Sequence, residues 1–216
     1  MILTHGANSL AMGGGDTVTI GGRAYKTVTI GNQVWLAENL DYKFDGCDIG
    51  PTGSPSTPAA WYYDNDEATY GIDGPYKSGL FYTWYAVKVL NDNRSEWCPG
   101  WHVPSSSEWD ALFTAIGGLS TAGTKMKATD GSILQNYPSG WNGDNNYGFS
   151  VLPTGNRSGW YQLFVNLGTH TRFWKSPIEY DYNEGYFIQF STSEPVTEGT
   201  DLKIDAYPVR LVKDAT

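Results

Sequence analysis

Few residues in this chain have the types and spacing that do chemistry, and they point to binding more than to catalysis. The three histidines are His5, His102 and His170. Acid–base work needs such a group beside a nucleophile or a second titratable partner. These three are scattered, and no Gly-x-Ser-x-Gly, His-Glu-x-x-His or phosphate-cradling loop accompanies them. His102, inside Trp101-His102-Val103-Pro104, reads as a hydrogen-bonded structural histidine, and we expect no enzyme. Asp64-Asn65-Asp66-Glu67 offers the hard oxygens that Ca2+ takes, but lacks the spacing and turn glycine of a calcium loop. A solvated acidic run is the plainer reading, so no cofactor is expected and Ca2+ is the lesser alternative. Cys47 and Cys98 either pair or serve as two small buried apolar groups, because two cysteines define no disulfide framework.

Binding chemistry is concentrated in one stretch. Between the apolar frames Tyr147–Pro153 and Pro208–Val212 the chain is crowded with Tyr, Trp, Phe, Asn, Thr and Ser. Large rings give contact area at low entropy cost, and short polar groups hydrogen-bond in many geometries. Candidate ligand contacts are Trp160, Tyr161, Leu163, Val165, Thr169, Thr171, Arg172, Lys175, Tyr180, Tyr182 and Tyr186. Trp160, Tyr161 and Tyr182, flanked by Gly, Ser, Asp and Asn, are expected at the surface. Trp174, Phe187 and Phe190, at strand spacing, are expected in the core.

The elements that must position these residues follow from composition and pattern. The chain has 216 residues, long enough for one large domain and short for two. Its 26 Gly and 11 Pro argue against a helix bundle. A net charge of −9, with 14 scattered Lys and Arg, argues against a nucleic-acid partner. No apolar run approaches the ~18 residues of a membrane span. Residues 1–15 end in three glycines and read as a leader, with a single domain over 16–216.

Two hairpins open that domain, turning at Gly21-Gly22 and Gly31-Asn32, where positive φ is wanted. Residues 41–77 read as an insertion of ordered turns. Leu80–Leu90 carries apolar groups at helical spacing, and Ser105–Gly117 is a second helix. There Ser105 and Glu108 form a capping box and Gly117 supplies the stop. Gly123–Ala128 reads as a short strand or extended segment. Tyr147–Pro153, Arg172–Trp174, Gly185–Phe190 and Tyr207–Val212 read as strands.

Seven blocks in order carry a resemblance. Ile30-Gly31-Asn32-Gln33-Val34-Trp35-Leu36-Ala37-Glu38-Asn39-Leu40 is followed by Tyr82-Thr83-Trp84-Tyr85-Ala86 and Cys98-Pro99-Gly100-Trp101-His102-Val103-Pro104. Glu108-Trp109 with Leu112, Gly123-Thr124-Lys125-Met126-Lys127, Tyr147-Gly148-Phe149-Ser150 and Val209-Arg210-Leu211-Val212 complete the set. Over roughly residues 17–213 the chain resembles the Fibrobacter succinogenes major paralogous domain family. The resemblance implies an α+β, C-type-lectin-like fold, with two helices packed on small antiparallel sheets and long ordered loops. It also places the chain in the same broad group as the formylglycine-generating enzyme, whose activity needs a Cys near the C-terminus. None follows Cys98 here.

The framing blocks match while residues between them depart from the family pattern, as at Phe173–Tyr180 and Pro208. That contrast resembles the target proteins of diversity-generating retroelements, and implies a variable ligand-binding region over 155–207. The expected partner is a cell-surface protein or glycan, and the expected place is outside the cell, on a virion or a bacterial surface. The first residues, Met1–Leu10, lack the basic start and apolar core of a secretory signal, so export would follow another route or start from a processed form. Two alternatives stand beside this reading. One is a structural or assembly component, as a homo-oligomer or part of a larger surface or virion assembly, with the aromatics in a subunit interface. The other is a calcium-dependent carbohydrate-binding lectin, of whose motif Trp141-Asn142-Gly143-Asp144 is a loose echo.

Overall fold

The computed structural model describes residues 16–179, 181–192 and 195–214; the leader assigned to 1–15 lies outside them. Strand β1 (Thr17–Ile20) turns through Gly21 and Gly22, both at positive φ, into β2 (Arg23–Ile30). Gly31, at φ 62°, turns β2 into β3 (Gln33–Leu36). Both expected hairpins are therefore present. Two short strands follow, β4 (Asp48–Ile49) and β5 (Ala59–Trp61), then α1 (Glu67–Tyr70) and β6 (Phe81–Thr83). Next come α2 (Trp84–Asp92), α3 (Arg94–Trp97), α4 (Ser106–Ala115), α5 (Leu119–Met126) and α6 (Gly131–Leu134). The last third is β7 (Asn156–Ser158), β8 (Leu163–Val165), β9 (His170–Glu179), β10 (Glu184–Ser191), β11 (Thr197–Leu202), β12 (Ala206–Tyr207) and β13 (Val212–Asp214).

These strands form three sheets, so the fold is α+β. The orders are β1-β2-β3-β13, β11-β10-β9 and β4-β5-β6-β12-β7-β8. All pairs are antiparallel except β4 with β5. The chain closes on its own beginning where Val212 pairs with Trp35 and, on its other side, bridges His102. Trp35, Trp109, Phe149, Phe173 and Phe190 fill one core cluster, with Trp35 and Trp109 at 4.9 Å. Tyr82, Trp84, Trp174, Phe187 and Tyr207 fill another, with Trp174 and Tyr207 at 4.4 Å. Trp174, Phe187 and Phe190 are core residues, as their spacing indicates.

The α4 capping box is complete. Ser105 Oγ accepts from Glu108 N, and the Ser105 backbone N–H donates to Glu108 Oε2 at 2.8 Å. His102 Nε2 lies 2.5 Å from Glu108 Oε1, the structural role expected of that histidine. Burial pushes the Glu108 carboxyl up, but the bonds from His102 and Ser105 outweigh it and hold the group at about 2, against an ordinary 4.5. A depressed carboxyl contributes stability that is fully present above the unfolded-state value and lost as pH falls through the folded one. Glu108→Gln is thus expected to cost about 2–3 kcal/mol at pH 7. The difference from the wild type should shrink as pH falls from 4.5 towards 2. Urea midpoints measured across that range check this, and a pH-independent difference would exclude it.

The structure corrects four sequence readings. Leu80–Leu90 is not one helix: Phe81–Thr83, buried throughout, forms β6 between β5 and β12, and Thr83 Oγ1 then caps α2 by accepting from Ala86 N. Gly123–Ala128 is neither a strand nor extended until Lys127: Gly123–Met126 is helical in α5, because Ala122 and Met126 share the face packed into the Trp109 cluster and Lys125 Nζ donates to Ile116 O. Tyr147–Pro153 makes one bridge, Val151 to Lys127, and no strand. Ser150 sits at φ 58°, and the carbonyls of Phe149 and Ser150 accept from Arg210 rather than from a ladder. Tyr207–Val212 is broken after Tyr207, where Pro208 has no N–H to give.

Candidate functional site

The β7–β8 hairpin turns through Gly159–Gln162, with Gln162 at φ 53°. Its tip carries Trp160, 72% exposed, and Tyr161, 73% exposed. Strand β8 is an edge of the six-stranded sheet, and alternation along it turns Leu163 outward, 59% exposed, while Phe164 packs over Tyr63 at 5.1 Å. The β9–β10 hairpin holds Tyr182 at its tip, 89% exposed. Asp181 Oδ1 shapes that tip by accepting from Asn183 N and Glu184 N. The three rings expected at the surface are there.

One short segment ties the two tips together. Lys203 Nζ donates to the carbonyls of Asp181 and Tyr182, at 2.9 and 3.0 Å, and Lys203 N donates to Asn183 O. Its ammonium lies 4.5 Å from the Trp84 ring centroid. Two residues on, Asp205 Oδ1 accepts from Gly159 N at 2.7 Å. Gly159 lies so close to this segment that a Cβ there would sit 2.1 Å from Ile204 O. The rings of both hairpins are thus presented on a shared brace, Lys203–Asp205, anchored in the core.

Beneath the brace lies a polar network. Arg172 Nη1 donates to Asp201 Oδ2 at 2.6 Å and to Tyr207 Oη at 3.1 Å, and its Nε donates to Gln189. Tyr207 donates to Asp201 at 2.6 Å. Burial, and then the Asp201 carboxylate, hold Asp205 above the usual carboxylate range against the pull of the Gly159 N–H. Arg157 stacks on Trp61 at 4.0 Å.

The eleven candidate contacts therefore divide. Trp160, Tyr161, Leu163 and Tyr182 are exposed, and Val165, Thr169 and Tyr186 are half-buried. Tyr180 lies outside the described residues. Thr171 and Lys175 are corrected: at 0% and 3% exposure they do not reach a ligand on this surface. Thr171 Oγ1 is 2.7 Å from Thr154 Oγ1, and Lys175 Nζ donates to Glu198. Arg172 is half-buried and committed to the network. The brace residues Lys203 and Asp205 were missed, and nothing local in the sequence marks them.

Two of the four residues in the acidic run considered for Ca2+ are engaged otherwise. Asp66 caps α1 by accepting from Thr69 N, Glu67 accepts from Lys43 Nζ, and Trp141 is buried with its Nε1 donating to Val151 O. Among the described residues no three His, Cys, Asp or Glu gather as metal ligands. Cys47 and Cys98 are unpaired thiols, Cys98 in the Trp84 cluster and Cys47 packed against it. Among the described residues no helix is long and apolar enough to cross a membrane.

A family model described as Fibrobacter succinogenes major domain matches residues 28–213. No curated protein and no solved structure matches the chain.

Proposed function

The chain belongs to the Fibrobacter succinogenes major domain family, and from that premise we propose that it is a recognition protein. Its C-terminal hairpins would contact a cell-surface protein or glycan from a C-type-lectin-like scaffold, on a virion or a bacterial surface. The observation that carries the reading is the set Trp160, Tyr161 and Tyr182, three largely exposed rings on two hairpin tips fastened to one brace. Exposed rings lower solubility, and rigid presentation limits the entropy lost on binding. The half-buried Arg172 network supports the same reading, since its groups hold the scaffold and are not arranged as acid, base and nucleophile.

We further propose that the segment is of the kind varied by a diversity-generating retroelement. Support comes from the exposure of Trp160, Tyr161 and Tyr182 at hairpin tips, between framing motifs that lie in the core. An adenine-rich near-copy of the segment encoding residues 155–207, beside a reverse-transcriptase gene, tests this; its absence removes the idea.

The alternative of an assembly role uses the same rings as a subunit interface. Changing Trp160, Tyr161 and Tyr182 together to Ala separates the two. We expect at least a tenfold loss of binding of labelled protein to a panel of intact bacterial cells and immobilised glycans, since a few central aromatics carry most interface energy. Light scattering should show an unchanged oligomeric state. Loss of assembly with binding retained would reverse the assignment.

A further inference from the structure

We propose that the cavity floored by Arg210 is a binding site for a small organic carboxylate with a short apolar body. The cavity is about 370 Å3, and none of its lining residues belongs to the surface of Trp160 and Tyr182. Arg210 is 1% exposed. A guanidinium carries five N–H donors. Four are taken, by Asn39 Oδ1 at 2.8 Å, Leu36 O and Phe149 O at 2.9 Å each, and Ser150 O at 3.1 Å. All four acceptors are neutral. The fifth N–H is on Nη2, the nitrogen bound to Ser150, which lines the cavity. The ring faces of Phe149 and Phe173, at 4.8 and 5.6 Å, add attraction but no counter-charge.

No carboxylate is hydrogen-bonded to this buried cation, and the charge of Glu38 acts on it only at a distance, so it keeps much of its desolvation cost and would hold an anion that reached it more strongly than water does. Burial lowers Arg210 to about 9, so the group is still charged at neutral pH. Lys26 and Lys77 also line the cavity, against Glu38 and Asp130. Both carboxylates already accept bonds, Glu38 from Lys26 N and Asp130 from the N–H and hydroxyl of Ser132. The local balance is three cations to two anions, on a chain of net −9. The walls supplied by Ile72, Ile133 and Leu152 suit an apolar body.

The backbone gives an independent sign. Seven non-glycine residues among those described have positive φ, and three of them, Lys77, Asn145 and Ser150, line this cavity. Such conformations persist where the surroundings over-determine them, and they cluster at ligand sites. Here Asn145 and Ser150 hold each other, Nδ2 to Oγ and N to Oδ1, both at 2.8 Å.

Calorimetric titration of the whole chain with N-acetyl-leucine, benzoate and the corresponding amides tests the proposal. The acids should bind with a Kd of about 1 mM or tighter, and the amides at least tenfold more weakly. Ile133→Trp, which fills the cavity without touching Arg210, should abolish acid binding while the amide NMR spectrum stays folded. Lys77→Met should weaken it severalfold, and the variant lacking the Trp160, Tyr161 and Tyr182 rings should bind the acids unchanged. Equal binding of acids and amides, no binding of either acid at about 10 mM, or full binding to a folded Ile133→Trp variant would overturn it.

Discussion

Arg210→Met is expected to lower stability by about 4 kcal/mol, because four buried oxygens lose their donor together. Unsatisfied buried acceptors cost roughly 1–3 kcal/mol each, and relief from burying the charge offsets only part of that sum. The four oxygens come from two stretches far apart in the chain, at Leu36, which ends β3, with Asn39 just after it, and at Phe149 and Ser150 before β7. The guanidinium is therefore the link that holds a non-strand segment where a ladder would otherwise be needed. Lys at this position has three donors on a flexible stem and cannot span the same acceptors, so Arg210→Lys should lose nearly as much. Urea unfolding with an unchanged m-value checks both. A loss below about 1 kcal/mol would mean that water reaches these carbonyls.

Gly159→Ala is the second large effect. Its Cβ would lie 2.1 Å from Ile204 O and 2.5 Å from Ile204 C, both backbone atoms that no rotamer change can move. The hairpin tip must lift from the brace, and the 2.7 Å bond from Gly159 N to the buried Asp205 must stretch or break. Overpacking and a buried acceptor without its donor together cost about 3 kcal/mol. Because Trp160 follows directly, the same displacement should weaken target binding and alter near-ultraviolet circular dichroism. Gly131→Ala, where nothing lies within 4 Å, should change stability by less than about 0.5 kcal/mol. Equal effects of the two substitutions would argue against the brace.

The sequence by itself determined what depends on neighbours in the chain. Gly21-Gly22 and Gly31-Asn32 specify hairpins through φ at single residues, and Ser105 with Glu108 specifies a helix start through bonds three residues apart. Trp174, Phe187 and Phe190, in runs that read as strands, are buried, while Trp160, Tyr161 and Tyr182, with small polar flanks, are exposed. Tertiary structure decided whatever rests on partners far away. Thr171 and Lys175 resemble surface contacts until the fold buries them, Thr171 against Thr154 and Lys175 on Glu198. Gly123–Met126 could be extended until the Trp109 cluster receives its helical face. Lys203, Asp205 and Arg210 have no local signature, because their roles are hydrogen bonds to residues 21, 46 and 171 positions away. A charged side chain tells which groups it can satisfy, and only the closed fold determines which of them it meets.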